Sequence, residues 1–453
     1  MSTLAFGLPL TLNLRTSKLF ENSAPSPCIF LAFGIQVQGV SPNVHLANEK
    51  LRLACSKKAR SFFFPLENLM QVFKNLALAL VAAATLAACG GGDGDQSPKV
   101  TFSRMVSFGD SLSDVGAYKV GGVAAMGGGK YTVNSASAKN WTEIIAQQLR
   151  LTAPCAAVTG LDGNGTVPSF VVARTAINTC YNYAQGGSRV TGAIGPGNKN
   201  LTASAALGQL TEPVTNQITD HITRHGNFTG SELVTVMAGG NDAFIQLGVL
   251  SVLGTGSFAT YAQGVAGWSA GDVAGVTGFN DAVTVMNTKM ATAGTQLANL
   301  INTQIISNGA KYVVVVNLPN LSRTPFGDQQ EAGNAGMRSV INTMVQSFNT
   351  ALATGLGSNS KIKLVDAYTI SADQVANPGQ YGLTNVSAAA CDLTSPSPNA
   401  LGSSLVCNTS NTLASGATNV STYLFADTVH PTPLGYKLLA QLIAKDMTVA
   451  GWL

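Results

Sequence analysis

Val106-Ser107-Phe108-Gly109-Asp110-Ser111-Leu112-Ser113-Asp114 joins an apolar β-type segment to a stretch in which Ser and Asp stand where helix N-termini place them. Ser107, Phe108 and their neighbours favour a strand, and the Gly-Asp-Ser that follows favours a sharp exit from it. A serine at such a junction projects its hydroxyl from the carboxyl edge of a parallel sheet. There it meets the ligands that open α/β folds bind, close to the positive end of a helix. The same residues also suit a simple capping turn, so the rest of the chain has to decide.

Outward from this stretch, short β-rich runs recur at Phe102–Ser107, Asn178–Tyr183, Leu233–Met237, Tyr312–Val316 and Ile362–Val365. Between them Trp141–Leu149, Ala282–Ile306, Gly336–Leu356 and Pro433–Met447 carry helical periodicity. Strands alternating with helices predict a parallel sheet covered on both faces, and the unbroken Val313–Val316 run predicts a central, doubly buried strand. Three regions break the alternation. Residues 121–129 and 152–172 are Gly-rich and irregular, and 377–422 are dominated by Ser, Thr, Asn, Gly and Pro. Loops of that length usually carry function or are pinned by crosslinks.

Composition narrows the function classes. Of the 453 residues 45% are hydrophobic and only 11% charged, which supplies a core and excludes disorder throughout. The formal charge of +4 comes from residues 1–69, with seven Lys/Arg against three acids; from Cys89 onward 18 face 19. No nucleic-acid footprint remains.

Met70-Gln71-Val72-Phe73-Lys74, an apolar run from Leu76 to Ala88 and Leu86-Ala87-Ala88-Cys89 together resemble a bacterial lipoprotein signal peptide over 70–88. The resemblance implies that Cys89 is lipidated and opens the mature chain as a membrane anchor. Gly90 after it implies sorting to the outer membrane of an exported protein; an ordinary secretory signal cleaved near Ala88, leaving a periplasmic or secreted protein, is the alternative. The apolar run is shorter than the roughly 20 residues of a membrane span. Residues 1–69 then read as an upstream extension, with translation starting at Met70. Residues 89–99 read as a flexible tether and 100–453 as the domain.

Cys28 and Cys55 fall in the extension and Cys89 at the lipid site, leaving Cys155, Cys180, Cys391 and Cys407. An even number in an exported chain predicts two disulfides, most simply Cys155–Cys180 and Cys391–Cys407, each within or beside one of the irregular regions. Closing such loops stabilises by roughly 3 kcal/mol each. No Cys-x-x-Cys or nearby histidine pattern supports a metal.

A serine nucleophile needs a base. His221 and His225, spaced i, i+4 among polar residues, read as a solvated helix face or a weak surface metal pair. His430 differs, because Asp427 stands three residues before it and Pro431 directly after. On a tight turn Asp427 can then reach the imidazole Nδ1 while Nε2 faces the serine. Acyl chemistry also needs oxyanion donors, each worth about 3 to 4 kcal/mol in the transition state. Asn182-Tyr183-Ala184-Gln185-Gly186-Gly187-Ser188 and Gly239-Gly240-Asn241-Asp242 follow strands and can supply them.

These four blocks, in this order, resemble the GDSL or SGNH-hydrolase family of esterases and lipases, from about Val100 onward. The resemblance implies a flavodoxin-like three-layer α/β/α fold with a five-stranded parallel sheet in the order 2-1-3-4-5. It makes Ser111 the nucleophile, His430 general base and acid, Asp427 its orienting partner, and Gly187 and Asn241 the oxyanion donors. Gly187 is preferred to Gly186 because it lies five residues after Asn182. Asp110 and Asp114 are expected to hold the turn through backbone hydrogen bonds. Tyr423-Leu424-Phe425-Ala426-Asp427 resembles the exported bacterial lipolytic branch, although Ala426 stands where tryptophan is common there, a change expected to open space near the substrate. The function implied is cleavage of carboxylic esters, of lipid or smaller substrates, through an acyl-enzyme and without a cofactor. Carbohydrate deacetylation, polyester-oligomer hydrolysis and a non-catalytic surface-binding lipoprotein are the alternatives.

Overall fold

The computed structural model describes residues 100–453 except 202–204, 397–398 and 413–419. The expected signal peptide over 70–88, the expected lipid site Cys89, the expected tether over 89–99 and residues 1–69 lie outside the described residues. The elements run β1 (Met105–Gly109), α1 (Gly121–Ala125), α2 (Trp141–Gln148), β2 (Val158–Asp162), β3 (Val171–Ala176), α3 (Val214–His225), β4 (Leu233–Met237) and α4 (Gly240–Val252). They continue through α5 (Phe258–Gly264), α6 (Ala270–Ala274), α7 (Phe279–Leu300), β5 (Tyr312–Val316), α8 (Pro325–Gly333), α9 (Met337–Leu356) and β6 (Ile362–Val365). Last come α10 (Ala367–Ala376), β7 (Asn385–Ala389), β8 (Tyr423–Phe425) and α11 (Pro433–Val449).

Strands β1, β4, β5 and β6 pair in parallel in that order, with Phe108 opposite Val236 and Val315 opposite Leu364. Successive side chains of a strand face opposite ways, so an apolar run demands a helical layer on each side. Val106, Phe108, Val234, Val236, Val313 and Val315 pack with Ile218 of α3, Leu297 of α7 and Phe348 of α9. Met105, Leu233, Met237, Val314 and Val316 pack on the other face with Trp141 and Ile145 of α2 and Tyr436 and Ile443 of α11. The result is the expected three-layer α/β/α fold, with Val313–Val316 fully buried at its centre.

The expected second strand, Asn178–Tyr183, is reduced. Only a short extended piece lies beside β1: Ser107 N–H donates to Tyr181 O at 3.0 Å and Tyr183 N–H to Ser107 O at 2.8 Å. A turn at Ile177–Cys180 and the Cys155–Cys180 bond occupy the residues before it, and the Asn182 side chain turns away to Ser113 O. The regular ladder therefore has four strands, and the fifth place, in the expected order 2-1-3-4-5, is held by this piece.

The irregular regions are less irregular than their composition suggests. Residues 152–172 contribute to an antiparallel ribbon, β2 with β3, and β7 pairs in parallel with β8. Strand β3 is largely exposed, so it lacks the alternation that marks a half-buried strand. Both disulfides form as expected, Cys155–Cys180 and Cys391–Cys407. No helix among the described residues is long and apolar enough to cross a membrane.

Candidate active site

Ser111 is set by the way β1 ends. At Gly109 the backbone adopts φ +151°, and a Cβ there would lie 2.1 Å from Met237 O, so only glycine permits β1 and β4 to end this close together. Gln217 of α3 grips the same residue from both sides: Gly109 N–H donates to Oε1 and Nε2 donates to Gly109 O, each at 2.8 Å. No helix follows, contrary to the expectation of a helix N-terminus at Ser111. The chain instead forms a turn whose carboxylates satisfy backbone donors in place of helical carbonyls. Asp110 Oδ1 accepts from Leu112 N–H at 3.0 Å, and Asp114 Oδ1 accepts from Gly116 and Ala117 N–H at 2.8 Å. Asn182 and Asn140 donate from outside to Ser113 O and Asp114 O.

His430 is placed by a turn between β8 and α11. Ala426 N–H donates to His430 O at 2.7 Å, and α11 starts at Pro433 with Thr432 as its cap. Asp427 organises this turn through Oδ1, which accepts from Val429 N–H at 2.9 Å and His430 N–H at 2.8 Å. Its other oxygen is 2.7 Å from His430 Nδ1, and His430 Nε2 is 2.8 Å from Ser111 Oγ. With Nδ1–H given to the carboxylate, Nε2 is left to accept the serine proton. Burial alone would raise the Asp427 carboxyl, but the charge and hydrogen bond of His430 and the hydroxyl of Ser404 hold it far below the usual carboxylate range.

Of the two expected donors, one lies beside this trio. Asn241, in the first turn of α4, lines one small cavity with Ser111 and His430. One of its amide protons goes to Ser188 O at 2.9 Å, leaving the other for a ligand. Gly187 does not line that cavity, but it directly precedes Ser188. Its N–H meets no acceptor among the described residues, whereas Gly186 N–H is taken by Asp114 Oδ2 at 3.0 Å. Of the two glycines, then, Gly187 holds the free donor. Its φ of +80°, with Pro196 O where a Cβ would sit, requires glycine. A buried ion pair, Arg189 Nε to Asp242 Oδ1 at 2.9 Å, clamps this loop to the start of α4.

Two other expectations differ from the structure. His221 is not on a solvated face: it is 4% exposed, stacks on Phe228 at 4.8 Å and meets Tyr183 Oη at 3.3 Å. Burial and the neighbouring His225 push it down to about 4. Ala426 opens no space at the substrate, because it packs with Val133, Ala390 and the Cys391–Cys407 pair. Burial pushes the Asp110 carboxyl up to about 7 and that of Asp114 up to about 6. Three supporting residues had no signal in the sequence: Gln217, Ser404, and Tyr131, whose ring lies 4.7 Å from the His430 ring.

A hydroxyl, an imidazole and a carboxylate in hydrogen-bonded sequence at the carboxyl edge of a parallel sheet define a serine-hydrolase type of site on an α/β/α fold. The chain belongs to the GDSL-like lipase/acylhydrolase family, whose sequence model matches residues 105–443. Among curated proteins it is similar to a GDSL esterase/lipase of Arabidopsis thaliana, 26% identical over 155 residues that make up 32% of this chain and 36% of the relative. The GDSL esterase/lipase APG of the same plant is 29% identical over 160 residues, 33% of this chain and 42% of the relative. The matched stretches thus span less than half the length of these relatives.

Proposed function

We propose that the protein is a serine ester hydrolase that cleaves carboxylic esters bearing an apolar acyl chain. The observation that carries this is the continuous chain Ser111 Oγ, His430 Nε2, His430 Nδ1, Asp427 Oδ2, with contacts of 2.8 and 2.7 Å. Ser111 attacks the ester carbonyl while His430 takes its proton, and the alcohol leaves with that proton. The oxyanion is held by the free Asn241 amide proton and the Gly187 N–H, with the Ser111 N–H as a third donor. Water, activated by His430, then releases the acid and restores Ser111.

The apolar part of the substrate is read from a second cleft. It is lined by Met237, Ile370, Leu424, Leu439 and Leu442, and shares Leu112, Pro319 and Val429 with the Ser111 cavity. An alkyl chain leaving the carbonyl can enter it and gains about 0.8 kcal/mol for each CH₂ buried. An exported, lipid-anchored existence, with Cys89 as the anchor in an outer-membrane protein of the bacterial lipolytic branch, is part of the same proposal. It is supported by the Leu86–Cys89 sequence and by two disulfides, which persist in oxidising compartments.

The test is hydrolysis of p-nitrophenyl esters from acetate to laurate by the purified protein and by Ser111→Ala. Rates should rise from acetate to the medium chains, and Ser111→Ala should lose at least about a thousandfold in kcat. Unchanged hydrolysis in Ser111→Ala overturns the assignment, and a preference for acetylated sugars over acyl esters overturns the substrate class.

A further inference from the structure

The chain between β7 and β8 carries Cys391, Ser404 and Cys407, all at most 1% exposed. Ser404 donates its hydroxyl to Asp427 Oδ2, and its N–H points to the same oxygen at 3.3 Å. That oxygen is the one that receives His430 Nδ1–H. The fixed position of Ser404 has a visible cause. It opens a 3₁₀ turn, Ser404–Val406, and Cys407 N–H returns to its carbonyl at 3.2 Å. Asn134 Nδ2 reaches both Ser404 O at 3.1 Å and Cys407 O at 2.9 Å. At the other end Cys391 N–H donates to Ala426 O, and Ala390 N–H to Phe425 O, both at 2.9 Å. Cys391 is therefore bonded to the residue just before Asp427. The Cys391–Cys407 bond joins the turn that carries the hydroxyl to the residue that is hydrogen-bonded beside the carboxylate.

We propose that Ser404 is a positioning residue for Asp427 and that the Cys391–Cys407 crosslink holds it there, so that the rate of ester hydrolysis depends on this disulfide. The proposal rests on the reading of Asp427 as the partner of His430. A buried carboxylate needs hydrogen-bond donors on its oxygens. Here Oδ1 takes two backbone N–H groups and Oδ2 takes Ser404 and the imidazole. The hydroxyl fixes the rotation of the carboxylate and shares its charge. Without it Oδ2 keeps only the imidazole and the longer contact from the Ser404 N–H, so more of its charge falls on the imidazole, which then keeps its proton to higher pH, and a protonated His430 cannot act as base.

The experiment uses the full chain and p-nitrophenyl butyrate across pH 5–9. Ser404→Ala should lower kcat by roughly tenfold or more with little change in KM, the worth of a hydrogen bond to a charged group. The acidic limb of its kcat/KM profile should move to higher pH. Ser404→Thr keeps the hydroxyl and should keep the limb where it is in the native chain. The pair Cys391→Ala/Cys407→Ala should reproduce the Ser404→Ala limb, and adding Ser404→Ala to it should cost little more, because both changes remove one interaction. Cys155→Ala/Cys180→Ala, which also opens a disulfide-closed loop, should lower Tm without moving the limb. A native rate and limb in Ser404→Ala overturn the positioning role. Full additivity of Ser404→Ala with the cysteine pair overturns the part assigned to the crosslink. If Ser111→Ala still hydrolyses ester, the reading of the site itself has failed; if Ser111→Ala is inactive while Ser404→Ala matches the native chain, only this inference has.

Discussion

Replacing Asp427 by Asn changes one atom, yet the surroundings of that atom set a large effect. Two backbone N–H groups point at Oδ1, and Ser404 and His430 Nδ1 point at Oδ2. An asparagine can keep its oxygen at the Oδ1 place, where the turn needs an acceptor. Its NH₂ then faces His430, and Nδ1 must present a lone pair instead of a proton. The imidazole proton moves to Nε2, 2.8 Å from Ser111 Oγ, and the base is lost. A triad with this tautomer inverted loses about 10⁴ in kcat, equivalent to about 5 kcal/mol of transition-state stabilisation. Steady-state hydrolysis of p-nitrophenyl butyrate at pH 7.5 checks the loss. Thermal unfolding supplies the second reading. Asp427 is held below its unfolded value, so its contribution to stability is present at neutral pH and lost as pH falls through the folded value. Asp427→Asn should therefore lower Tm at pH 7 and approach the native Tm in acid. A variant that retains a tenth of the native kcat refutes the tautomer argument, because among the described residues Asp427 is the hydrogen-bond partner of His430 Nδ1.

Two further outcomes follow from neighbouring geometry. Asn241→Ala removes a donor from the serine cavity and should lower kcat by about 10² to 10³ with KM nearly unchanged; a raised KM at native kcat would make Asn241 a substrate-binding group instead. His221 is pushed down to about 4 by burial, below its unfolded value, so stability is whole above about pH 6.5 and drains by roughly 3 kcal/mol as pH falls toward 4. His221→Phe, which keeps the contact with Phe228, should flatten that loss in urea unfolding at pH 7 and pH 4.5, and an unchanged slope would place the acid sensitivity elsewhere.

What the sequence reveals of the site is what the chain builds locally. Asp427 and His430 lie three residues apart on one turn, and Ser111 follows an apolar strand, so residue type and spacing carry the geometry. The long helices and Val313–Val316 are legible because burial imposes a period on many residues at once. Gln217 meets Gly109 across 108 residues and Ser404 meets Asp427 across 23, and neither glutamine nor serine is unusual in its own segment. His221 is misread for the complementary reason: its helical neighbours are polar, while the rings that bury it, Phe108, Tyr183 and Phe228, lie outside its helix. The exposed ribbon strand β3 escapes because little of it is buried, and a pattern arises only where one face differs from the other.

The site is therefore held by two kinds of structure, and they should fail differently. Ser111 depends on the sheet: its place follows from the approach of Gly109 to Met237 and from the Gln217 grip, so changes there disturb the core before they disturb chemistry. The Asp427 and His430 turn lies against irregular chain, pinned by Cys391–Cys407 and by Thr432 at the start of α11. Ser404 sits in that irregular chain, yet its hydroxyl meets the carboxylate paired with His430. A loop with that connection can lose rate while the sheet keeps its stability. A residue-by-residue comparison of kcat with Tm should accordingly separate the two halves of the site, with Gln217 on the stability side and Ser404 on the rate side.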